Sequence, residues 1–150
     1  MKPLLILLST FLIAVFCTKW FNHHYDLAFS ARLAMSVMLL FTAIGHFAFT
    51  KGMTMMLPGF VPFKKGMVYF TGVVEIFAAV GLIIPGFRIL TAWLLILFFI
   101  LLLPANIYAA RKRIDIQKGT LEGHGLNYLW FRIPLQILFI MWTYFSAIRF

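Results

Sequence analysis

Apolar residues run along this chain in five long stretches, over residues 3–21, 27–49, 66–84, 88–110 and 127–148. Each is close to the roughly 20 apolar residues that cross a bilayer as a helix. The breaks between them hold most of the charge, three of the six prolines and most of the glycines. A polar break, KWFNHHYD, covers 19–26; Pro85-Gly86 is a tight turn; RKRIDIQKGTLEGHG, over 111–125, is the only strongly polar stretch. Residues 50–65, TKGMTMMLPGFVPFKK, carry two prolines and two glycines. That punctuation predicts a loop rather than a span. Its methionines and phenylalanines predict that the loop lies in the membrane interface. Pro104 falls inside the fourth stretch, where neighbouring helices can satisfy the carbonyl it frees. Trp130, Trp142, Tyr128 and Tyr144 sit in the fifth stretch at positions suited to interfacial belts.

The first stretch has the basic start of a signal peptide, but its apolar run is long for one and no small-residue cleavage site follows it. Phe16 directly before Cys17 also argues against lipoprotein processing. It is expected to remain as a membrane helix. The pattern as a whole predicts one domain, an all-α membrane protein with five spans running up and down.

Composition sharpens this picture. Of 150 residues, 63% are hydrophobic and 11% charged, against roughly 45–50% and 25% in soluble domains. The formal charge of +9 is explained by basic loops that set topology and meet anionic headgroups, so no nucleic-acid partner is expected. With five spans, Lys2, Lys51, Lys64, Lys65, Arg111, Lys112, Arg113 and Lys118 fall on one side. Lys19, Arg32, Arg88 and Arg149 fall on the other, and this eight-to-four bias predicts a cytoplasmic N-terminus. A single cysteine, Cys17, excludes a dithiol relay within the chain. No zinc-ligand spacing, phosphate-binding glycine loop or nucleophile elbow is present, and no metal site is predicted.

Candidate chemistry begins at Glu75, a carboxylate near the middle of the third span. An ionised carboxylate at that depth costs about 2.5 kcal/mol or more and normally faces a partner or a cavity. At about 1.5 Å of rise per residue, His46, Glu75, Asn106, Arg132 and Gln136 fall in the same half of the membrane, on four different helices. Thr71, Gly72, Ala78, Ala79 and Leu82 share the Glu75 face at helical spacing. Arg132 and Gln136 are four apart, and both have the reach to approach Glu75. His46, Thr71, Glu75, Asn106, Arg132 and Gln136 are therefore the candidate ligand-binding residues, with Glu75 and His46 the candidates for proton chemistry. The bland alternatives are a structural Glu75–Arg132 ion pair and amides that only glue helices together.

AIGHF (43–47), MLPGFVPF (56–63), VYFTGVVEIFAAVGLIIP (68–85), PANIYAA (104–110) and RIPLQ (132–136), taken in order, resemble the DoxX-like family of small bacterial membrane proteins. The resemblance implies a four-helix membrane bundle over roughly residues 32–148, with the first span an addition to it. It also implies a bacterial plasma membrane location. The family takes its name from a subunit of a thiosulfate:quinone oxidoreductase. The resemblance thus implies a membrane subunit or partner of a quinone-linked oxidoreductase, with quinone as the expected ligand and a redox-complex protein as a further partner beside the lipid bilayer. It gives the motif residues importance without giving them chemical roles. The alternative expectation is a non-catalytic protein that binds a lipid or small molecule, or assists assembly of a larger complex.

Overall fold

The computed structural model describes residues 2–150, with Asn22 described through its backbone alone. The elements are α1 (Lys2–Asn22), α2 (Leu27–Ala48), α3 (Thr50–Met55), α4 (Lys64–Ile83), α5 (Arg88–Arg111) and α6 (Asn127–Thr143). A π-helical turn over Tyr144–Arg149 continues α6. There is no β-strand among the described residues. Five of the helices are long and apolar enough to cross a bilayer. The protein is an all-α integral membrane protein.

Local chemistry places the helix ends. Asp26 caps α2: its carboxylate accepts the Phe29 N–H at 2.8 Å, a contact worth about 1 kcal/mol. Thr50 begins α3 by donating to the His46 carbonyl at 2.8 Å. The stretch 50–65 is thus not loop throughout, because its first six residues form α3. The prolines lie beyond Met55, so they break the chain only after this turn and a half has formed. Gly52 is buried in α3, and a Cβ there would strike the Ile116 carbonyl. Only a glycine lets the loop over 112–126 pack this closely on α3.

The helices form a ring. α2 packs on α1 and α4, α5 packs on α4 and α6, and the π-helical turn returns to α2 and α5. The core of the ring holds Met35, Met38 and Leu39 of α2, Leu82 of α4, Leu95 and Phe99 of α5, and Phe139 of α6. Side-chain-to-backbone bonds close the ring at one end. Arg32 donates to the Ser146 carbonyl at 2.9 Å, and Trp142 Nε1 donates to the Ala31 carbonyl at 3.0 Å. Trp142 therefore points at α2 rather than serving only as a belt residue. α1 lies outside the ring against α2. Leu7, Ala14 and Thr18 are its buried residues, and Phe11 meets Trp142 edge-on at 5.1 Å. Leu5, Leu12, Ile13 and Phe16 face outward.

Lipid is as apolar as these side chains, so helix association rests on close packing and hydrogen bonds. α4 illustrates this. Its buried face is Val68, Gly72, Glu75, Ala78, Ala79 and Leu82, at helical spacing and mostly small. Thr71 lies at the edge of this face and is half-buried. A Cβ on Gly72 would lie 2.9 Å from the His46 Cβ. The missing side chain at 72 is what brings α2 and α4 together at His46.

Candidate functional site

The close approach at Gly72 sets His46 directly against α4. Its Nε2 lies 3.3 Å from Glu75 Oε1. Its Nδ1 lies 3.1 Å from the Val68 carbonyl and 3.1 Å from the Thr71 hydroxyl. The Thr71 hydroxyl is itself 2.8 Å from the same Val68 carbonyl.

These distances assign the protons. A carbonyl only accepts, and a threonine hydroxyl has one proton to give. That proton goes to Val68, so Nδ1 must be the donor toward Val68 and Thr71. Nε2 is then left facing Glu75, and the two groups share one proton. Either the Glu75 carboxyl donates to a neutral imidazole, or an imidazolium pairs with a carboxylate. The assignment follows from the hydrogen-bond network.

Glu75 is only 4% exposed. Its second oxygen, Oε2, is buried and has no hydrogen-bond partner among the described residues. Leaving such an atom unpaired costs about 1–3 kcal/mol. Beside the pair, Phe47 and Tyr69 stack with their ring planes 14° apart and centroids 5.5 Å apart. Both residues are a little under half exposed, on the outside of the bundle. α3 packs over α4 and the end of α2 that carries His46.

The remaining candidates form a second set, between α5 and α6. Asn106 Nδ2 donates to Gln136 Oε1 at 3.0 Å, and Gln136 Nε2 donates to the Phe99 carbonyl. That carbonyl is one residue before the one that Pro104 deprives of its donor, so Gln136 braces α5 at its proline. Arg132 donates to Asn106 Oδ1 at 3.3 Å and to the Tyr128 hydroxyl at 3.0 Å. Asn106 and Gln136 are buried, while Arg132 is half-buried.

The six candidates therefore divide as His46–Thr71–Glu75 and Asn106–Arg132–Gln136. Hydrogen bonds among the described residues run within each set and not between them. Glu75 pairs with His46, and Arg132, long enough to reach elsewhere, is held by Asn106 and Tyr128. Three partners were not singled out from the residues: the Val68 carbonyl, the Phe99 carbonyl and the Tyr128 hydroxyl. Backbone oxygens leave no mark in a sequence. Tyr128 does leave one, because it lies one helical turn before Arg132 on the same face.

No curated protein and no solved structure matches the chain. A family description does match, over residues 35–147. That span contains all six candidate residues and leaves out α1. By this match the chain belongs to the family described as Domain of unknown function (DUF8561).

Proposed function

We propose that this protein is the membrane component of a quinone-linked oxidoreductase, in which the His46–Glu75 pair receives a quinone headgroup and exchanges a proton with it. The observation that carries this reading is Glu75 Oε2, a buried carboxyl oxygen without a partner among the described residues, on a group whose other oxygen lies 3.3 Å from His46 Nε2. A quinone carbonyl needs a proton when it is reduced, and a quinol hydroxyl needs an acceptor when it is oxidised. A carboxyl paired with an imidazole serves both directions. The exposed Phe47–Tyr69 stack supports the same reading, since a planar headgroup arriving from the bilayer between α2 and α4 would meet flat rings beside the pair. The likeness of the 43–47, 68–85 and 132–136 motifs to DoxX-like proteins also points to quinone chemistry. Reduction to the quinol takes two electrons and two protons. In this reading the electrons come from a redox partner protein, one proton comes from the pair, and the second comes from water.

In this reading the protein sits in a bacterial plasma membrane, as the DoxX-like resemblance implies, with the N-terminus and the α3 end cytoplasmic, as the basic bias of the loops implies. Reporters fused at each end test the orientation: a cytoplasmic C-terminus would contradict it.

The binding reading is tested by extracting lipid from the purified protein. Wild type should retain quinone in near-stoichiometric amount. Glu75→Ala should reduce the retained quinone about tenfold or more, the equivalent of one charge-assisted hydrogen bond. Background quinone in both proteins would overturn the proposal. The second reading, a non-catalytic binding or assembly role, is favoured by the α5–α6 set, whose amides satisfy one another and brace Pro104. Quinone retained equally by wild type and Glu75→Ala would support it.

A further inference from the structure

The loop from α5 to α6 is the most strongly charged segment of the chain, and it is tightly folded. Asp115 Oδ1 accepts the N–H groups of Gln117 and Lys118 at 2.9 and 3.0 Å, and Asp115 bridges to Thr120. The Gly123 N–H donates to the Arg113 carbonyl at 2.6 Å. This last bond folds His124 and Gly125 back beside Arg111 and Arg113. The four residues, with the first residue of α6, line an open cavity of about 350 Å3.

The chemistry of the lining is one-sided. Two guanidinium groups and an imidazole face the cavity, and no carboxylate lines it. Arg111, Arg113 and His124 make no side-chain hydrogen bond or ion pair among the described residues. The N-terminus of α6 opens at the same place and adds partial positive charge. Arg113 also sits in the left-handed backbone region, at φ 52°. A non-glycine residue held there is strained, and such strain collects at ligand sites. The cavity lies between the end of one candidate span and the start of the next.

From these observations we infer that the Arg111–Arg113–His124 cavity is a binding site for a phosphate group, presented either by an anionic lipid headgroup or by a free phosphate compound. The forked guanidinium groups match phosphate oxygens in geometry as well as charge. The site is separate from the His46–Glu75 pair, and its test does not depend on the quinone reading.

The full chain, purified in neutral detergent, is titrated with inorganic phosphate and, separately, with short-chain phosphatidylglycerol, followed by phosphorus NMR. Saturable binding of at least one probe is expected. Lipid alone identifies a headgroup site; phosphate at comparable affinity identifies a free-phosphate site. Arg113→Gly relieves the left-handed backbone while removing the charge, so it should melt no lower than wild type and bind about tenfold more weakly. Arg111→Gln should weaken binding similarly. Lys112→Gln removes the same charge from the same loop but lies outside the lining, and should weaken binding less than about threefold. No saturable binding of either probe overturns the inference. So does a loss in Lys112→Gln equal to that in Arg113→Gly, since attraction would then come from the loop's charge and not from the cavity.

Discussion

At the scale of single residues, His46 is fixed from both sides of its ring. Val68 and Thr71 hold Nδ1 as a donor, and that leaves one proton between Nε2 and Glu75. Glu75→Ala strands Nε2 in a buried place and should cost about 1–3 kcal/mol of stability. Glu75→Gln can still donate its amide N–H to Nε2 and should cost less than about 1 kcal/mol. Thermal unfolding in detergent checks both; equal, large losses would show that the negative charge itself holds α2 to α4. The sequence marks His46 and Glu75 by depth, because polar residues stand out in apolar spans and rise per residue is constant. It does not mark their pairing. Arg132 has the reach to meet either Glu75 or Asn106, and only the rotation of α6 about its own axis decides between them.

At the scale of elements, two contacts carry the packing. Gly72 lets α4 touch α2 at His46, so Gly72→Ala should overpack that crossing and cost about 1–3 kcal/mol. It should also weaken quinone retention, by pushing His46 off Glu75. Unchanged unfolding temperature in Gly72→Ala would mean that α2 slides freely on α4. The Asn106–Gln136 bond ties α5 to α6, and a double-mutant cycle with alanine at both positions should give a coupling of about 0.6 kcal/mol, and no more than about 1.7. A coupling near zero would show that the Asn106–Gln136 bond does not tie α5 to α6. The five spans were legible because twenty apolar residues between polar breaks leave few alternatives. α3 was not: a six-residue helix containing glycine has no periodicity to read, and it is held by its fit against Ile116, more than sixty positions away.

At the scale of the whole molecule, the ring of α2, α4, α5 and α6 holds two polar sets and gives them different work. The α5–α6 set satisfies itself and holds a proline-containing helix in shape. The α2–α4 set leaves one carboxyl oxygen unpartnered, beside two exposed rings. The six polar positions within apolar spans were legible in the sequence. The division into two sets was not, because helix order around the ring is set by the packing of small and large side chains and by the return of the π-helical turn to α2. On the proposed function, the Glu75 carboxyl exchanges a proton with a bound quinone. The measurement that tests this exchange most directly is a redox-induced infrared difference spectrum of the purified protein loaded with quinone. A protonated-carboxyl band that changes between the quinone and quinol states, and is missing in Glu75→Gln, is the predicted result. A spectrum identical in wild type and Glu75→Gln would contradict the account.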